Sequence, residues 1–209
     1  MNGSNDWHGK SGFCDPDALK NQIEGCIVQT ISRTLHEEVI FDAAPGELLV
    51  VRNVANLVPP YEPQRDSQHG TSAALEFGVQ ALRVKHIVVL GHAFCGDIAA
   101  FANEQEPLSP GDFIGRWMSQ IAPAAERLGP ATTDETYLRR LEFASIELSL
   151  RNLMTFPWVY ILVGQGKLTL HGAYFGIATG HLLVRDPATG RFEPAIDGLP
   201  RTVFRASEV

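Results

Sequence analysis

Lys85 to Gly96, KHIVVLGHAFCG, is the stretch that most narrows the folds open to this chain. Ile87 to Leu90 is an unbroken apolar run rich in β-branched residues, which predicts a strand buried on both faces. Strands of that kind belong to parallel sheets covered by helices. Gly91 then allows a sharp turn, and His92 and Cys95 follow three residues apart. If a helix starts there, the spacing puts imidazole and thiol on one face of its first turn. They would lie beyond the carboxyl end of a parallel strand, where open α/β sheets bind their ligands. A thiolate and an imidazole so placed are half of a zinc site. The same spacing also describes a helix start that merely carries a histidine and a buried cysteine.

The 209 residues are enough for one α/β domain with a full core, so a single domain over 1–209 is expected. A net charge of -7 argues against a nucleic-acid partner, because phosphate binding needs clustered Lys and Arg. No run approaches the roughly 18 apolar residues that a membrane span requires. The first residues, MNGSNDWHGKSG, lack the apolar stretch of a secretory leader. Three cysteines at irregular spacing do not make a disulfide framework. A cytoplasmic location is the expectation.

In chain order, Asp15-Pro16-Asp17 can open a short helix from Ala18 to about Glu24, and Cys26 to Ile31 reads as a strand. A turn-and-helix segment follows to Phe41, and Glu47 to Arg52 (ELLVVR) predicts a second apolar strand. Thr71 or Ser72 can cap a helix whose Leu75, Val79 and Leu82 share one face. Helices are expected from Phe113 to Ala122 and from Asp134 to Met154, the second with Leu138, Leu141, Ile146, Leu150 and Leu153 at helical spacing. By composition Trp158 to Val163 resembles a strand. Leu168 to Ile177 and His181 to Val184 form a strand pair about Ala178-Thr179-Gly180, with glycine where φ must be positive. The fold class is therefore α/β, a mainly parallel central sheet flanked by helices with a C-terminal strand pair.

Five blocks of the chain carry a family resemblance: Phe41 to Val58, His69 to Phe77, Val84 to Gly96, Ser149 to Pro157 and Leu170 to Phe175. In that order they resemble the β-class carbonic anhydrases of bacteria, over roughly residues 37–195. Residues 1–36 then stand apart as an atypical N-terminal segment. The resemblance implies a helix, not a strand, at Trp158 to Val163. It also implies one Zn2+ held by Cys, His and Cys, with His92 and Cys95 matching the last two ligands. The metal would activate water for attack on carbon dioxide, yielding bicarbonate and a proton. His36, His69 and His8 have the intrinsic pKa that carrying this proton to solvent requires. A homodimer or a multiple of dimers is implied as well.

The family's other signature, Cys-x-Asp-Ser-Arg, supplies the remaining thiolate and an Asp–Arg pair that orients the nucleophile. Here the segment reads Gln29-Thr-Ile-Ser-Arg-Thr34, with Ser32-Arg33 as the remnant of its end. Arg33 is the matching hydrogen-bond donor, and an ion-paired surface arginine is its other reading. Cys26 is the nearest thiol, three residues early. In a strand that offset spans about 10 Å and reverses the face. Cys26 thus stands as a third ligand through a shifted strand or as a buried structural thiol, and Cys14 fits the ligand place less well. Arg52 and Asp97 are expected to be structural, and Asn53 and Asn56 to bond loop backbone. Two functions follow: a zinc lyase hydrating carbon dioxide, or a non-catalytic homologue acting as a binding or assembly domain. A frameshifted gene start is a third account of residues 1–36.

Overall fold

The computed structural model describes residues 48–63, 70–104, 106–107, 109–130 and 134–195. All but Leu48 fall within the unit Leu49–Val209. The expected helix at 18–24 and strand at 26–31 lie outside the described residues. The apolar run forms β1, His86–His92, which pairs in parallel with β2, Thr169–Gly176, from His86↔Thr169 to His92↔Phe175. β2 runs antiparallel to β3, His181–Arg185, and β3 antiparallel to β4, Phe192–Pro194. The sheet order is β1-β2-β3-β4. As expected, the β2–β3 connection places Gly180 at a positive φ of 68°.

The helices are α1, Gly70–Glu76; α2, Gly96–Ala102; α3, Phe113–Met118; α4, Ala122–Leu128; α5, Glu135–Leu153; and α6, Pro157–Gly164. Helices flanking a four-stranded sheet give the α/β class read from the sequence. α5 starts where Asp134 accepts a hydrogen bond from the Tyr137 N–H at 2.7 Å, a cap that contributes about 1 kcal/mol. It serves two cores at once. Leu141 and Leu148 pack with Ile98, Met118 and Ile121, while Ile146 and Leu153 pack with Val89, Phe156, Val159 and Tyr174.

Gly91 does not make the turn expected of it. It lies inside β1, where an added Cβ would stand 2.8 Å from Ile146 Cδ1 and 3.2 Å from Asn56 Oδ1. A Cβ at Gly172, on β2, would stand 3.1 Å from Ile146 Cγ2 and from Leu150 Cδ1. Two glycines on paired strands thus make a trough that admits α5 close to the sheet. Val89 is buried on that face, and Val88 and Leu90 are only half-buried, so the strand is less enclosed than its composition suggests. From the same helix, Ser149 Oγ donates to the Asn56 carbonyl at 3.0 Å and accepts the Val58 N–H at 3.1 Å. Asn152 Nδ2 donates to the Val58 carbonyl at 2.7 Å, pinning the loop that enters the core at Leu57.

Three further expectations are corrected or decided. Residues 48–52 form no strand, and Leu48, Leu49, Val50 and Val51 are exposed. β-Branched composition makes a segment fit for a sheet, but a strand also has to be paired, and none of the described strands pairs with this segment. Leu82 is exposed instead of sharing the buried face of Val79, because α1 widens into a π-helical turn at Phe77–Ala81 and the face rotates away. Trp158 to Val163 is helical within α6, as the resemblance implied. Pro157 supplies its first turn and Val159 is fully buried.

On β1 and β2, His86 Nδ1 lies 3.1 Å from His171 Nε2. Burial, and then the neighbouring His86, lower the His171 pKa below its ordinary 6.5. The unfolded chain then binds this proton more readily, so its contribution is complete above pH 6.5 and is lost as pH falls below that value. Urea midpoints are expected to drop between neutral and mildly acid pH, and His171→Gln should flatten the drop. Gly91→Ala should lower the unfolding free energy by about 1–3 kcal/mol through overpacking against Ile146. Gly164→Ala, whose Cβ meets nothing within 4 Å, should leave it unchanged or raise it in the same urea titration.

Candidate metal centre

His92 closes β1 and Cys95 stands immediately before α2. They are brought together by a reverse turn, not by the helical spacing that the sequence suggested. Phe94, in the turn, takes a left-handed φ of 56° and is 69% exposed. Backbone bonds hold both ends of the turn: the Ala93 N–H donates to the Phe175 carbonyl at 2.9 Å, and the Ala99 N–H donates to the Cys95 carbonyl at 3.0 Å. Cys95 is 3% exposed whereas His92 faces solvent, so the pair is approached from the imidazole side.

His92 Nδ1 sits 2.9 Å from the Ala93 carbonyl. A carbonyl only accepts, so this contact places a proton on Nδ1, and a metal would have to take Nε2. The ring is hydrogen-bonded to the Cys95 sulfur, and that bond is the largest cause lifting the His92 pKa to about 9. Burial opposes the rise, while the Ala93 carbonyl and the Glu142 charge add to it. An imidazole nitrogen and a sulfur held side by side match zinc's preference for N and S donors. A backbone carbonyl on the second ring nitrogen is the usual support for a metal-ligating histidine. The two side chains therefore fit the metal as half of its ligand set. Among the described residues, no group of three or more His, Cys, Asp or Glu is placed to hold an ion.

Glu142 of α5 was not singled out from the sequence, yet it stands directly behind this turn. It is 5% exposed. One carboxylate oxygen accepts the Cys95 N–H at 3.0 Å and the other accepts the Tyr174 O–H at 2.6 Å. Burial, followed by the bond to Glu142, pushes the Tyr174 hydroxyl well above its ordinary pKa. The available signal was a carboxylate one turn from Leu138 and from Ile146, on the face of α5 that otherwise reads as apolar.

The remaining candidates are dispersed. Asp97 lies half-buried in the first turn of α2, and Arg52 is exposed in the irregular segment before Asn53. Asn53 Nδ2 donates to the Leu57 carbonyl at 2.7 Å and to Thr71 Oγ1 at 3.3 Å, which agrees with the loop role expected of it. Asn56 departs from that role, since its Nδ2 is buried without a hydrogen-bond partner. Cys26, Arg33, Cys14, His8, His36 and His69 lie outside the described residues.

Residues 31–182 match the family pattern described as carbonic anhydrase. The chain is 39% identical over 134 residues to β carbonic anhydrase 5, chloroplastic, of Arabidopsis thaliana, an overlap of 63% of this chain and 44% of that protein. It is 35% identical over 140 residues to β carbonic anhydrase 3 of the same plant, covering 65% and 54% respectively. The chain thus spans about half the length of the curated relatives it matches. Among solved structures, the β-carbonic anhydrase CcaA superposes with a TM-score of 0.66 over 85% of this chain and 99% of its own; at 24% identity this is a likeness of fold. A tetrameric β-carbonic anhydrase of Sordaria macrospora superposes with a TM-score of 0.58 at 29% identity, over 71% of this chain and 73% of its own. The match of sequence pattern covers well over half of the chain and includes the His92–Cys95 turn, and on it the chain belongs to the β-class carbonic anhydrase family.

Proposed function

We propose that this protein interconverts carbon dioxide and bicarbonate as a zinc-dependent lyase. The observation that carries the reading is the His92–Cys95 pair at the carboxyl end of β1, with one ring nitrogen committed to the Ala93 carbonyl and the ring bonded to the Cys95 side chain. Zinc, when bound, supplies the Lewis acidity that makes water a nucleophile near neutral pH. His92 would present Nε2 and Cys95 its thiolate. Cys26 is the thiol proposed to complete the protein ligands, and Arg33 the donor proposed to orient the reacting oxygen. His36, His69 and His8 are proposed as carriers of the released proton. A homo-oligomer is proposed from the tetrameric state that the Sordaria macrospora relative's description records, and a cytoplasmic location from the three unpatterned cysteines.

A second reading is favoured by one observation. The segment Gln29 to Thr34 has no cysteine, and Ile31 stands in the aspartate's place. That would make the chain a non-catalytic homologue kept for binding or assembly. Zinc per chain in the purified protein, with carbon dioxide hydration followed by stopped-flow, separates the two. The lyase reading expects one zinc per chain, and His92→Ala should cost more than the about 100-fold in metal affinity that an outer-shell change typically costs. A chain that holds no zinc after growth in zinc-supplemented medium, and does not accelerate hydration, is the non-catalytic homologue.

A further inference from the structure

We infer that Glu142 is a positioning residue for the His92–Cys95 turn: its carboxylate, steered by the Tyr174 hydroxyl, holds the Cys95 peptide and so sets the direction in which the thiol meets the imidazole. The metal consequence rests on the zinc reading above, whereas the hold on Cys95 does not.

The Cys95 N–H lies just outside the hydrogen-bond ladder of α2, at a residue that is 3% exposed. Left without a partner there, such a donor costs about 1–3 kcal/mol. Any neutral acceptor would satisfy it. A carboxylate is a costly choice, because burying a charge is unfavourable unless strong hydrogen bonds compensate. Among the described residues Glu142 forms no ion pair, and its two bonds reach groups on two different elements. Cys95 follows the turn that leaves β1, and Tyr174 belongs to β2. With Glu142 itself on α5, the carboxylate is the point where three elements meet.

Geometry explains why the thiol depends on this contact. Cys95 has φ -66° and ψ 112°, an extended conformation at the start of a helix. Rotation of this one peptide would swing the Cβ–Sγ bond away from His92. The carbonyl side of Cys95 is fastened by the Ala99 N–H, and Glu142 fastens the amide side. Tyr174, 3% exposed, occupies the second carboxylate oxygen and prevents the side chain from turning to another partner.

The test uses the full chain carrying Glu142→Ala, Glu142→Gln or Tyr174→Phe, with circular dichroism and urea midpoints as the fold control. In metal-free protein, alkylation of Cys95 by iodoacetamide is followed by peptide mass mapping. Glu142→Ala and Tyr174→Phe should speed labelling at Cys95, and Glu142→Gln, which keeps an oxygen acceptor, should restore a rate near wild type. Co2+ is then titrated as a metal probe. Glu142→Ala should weaken its affinity by about 10- to 100-fold and shift the sulfur-to-cobalt absorption band, with rescue by Glu142→Gln. Unchanged labelling together with unchanged cobalt affinity and spectrum would overturn the inference. Should wild type bind no cobalt while the variants still expose Cys95, the hold on the turn stands and the zinc reading fails. If Glu142→Ala does not fold, Tyr174→Phe decides alone: a labelling rate equal to wild type refutes the steering, and a faster one supports it.

Discussion

The close approach of α5 to the sheet is the constraint on which the described fold depends. Ile146 reaches into a trough formed by Gly91 on β1 and Gly172 on β2, where an added Cβ would stand 2.8 Å and 3.1 Å from its side chain. Four residues earlier on the same helix, Glu142 then arrives at Cys95. Three residues later, Ser149 arrives at the loop that carries Asn56 and Val58. Were the helix displaced outward by the thickness of a methyl group, both sets of hydrogen bonds would lengthen together. Packing and site geometry are in this sense one arrangement.

That coupling gives the candidate centre a division of labour. His92 is held by its own strand and by the next residue's carbonyl, so its ring orientation is largely a local matter. Cys95 is held from a distance, by a carboxylate that is 47 residues away in sequence. The buried thiol therefore depends on tertiary packing, and the exposed imidazole depends much less on it. A site built this way keeps one rigid sulfur and one solvent-facing nitrogen at the mouth of a parallel strand.

Family membership places these two side chains in a known chemical setting without supplying the rest of it. The described residues contain two donors, an imidazole nitrogen and a sulfur, of the kinds that zinc prefers. Cys26 and Arg33, proposed to complete the site, lie outside the described residues. The lyase reading and the non-catalytic reading share the same His92–Cys95 geometry and differ in what completes it.

Local chemistry in the sequence was enough to determine the centre of the apolar strand, Ile87 to Leu90, the long helix from about Asp134 to Met154 and the strand pair about Gly180. Each of these follows from periodicity, capping or turn residues acting over a few positions. Tertiary structure alone decided that Gly91 serves packing and not turning, that residues 48–52 form no strand, that a π-helical turn exposes Leu82, and that Glu142 stands behind Cys95. Those outcomes depend on which surfaces meet across long stretches of chain, and no local pattern encodes that meeting. A glycine reads the same whether it frees the backbone or makes room for a neighbour, and a carboxylate on a helix reads as solvated until the opposing wall is known.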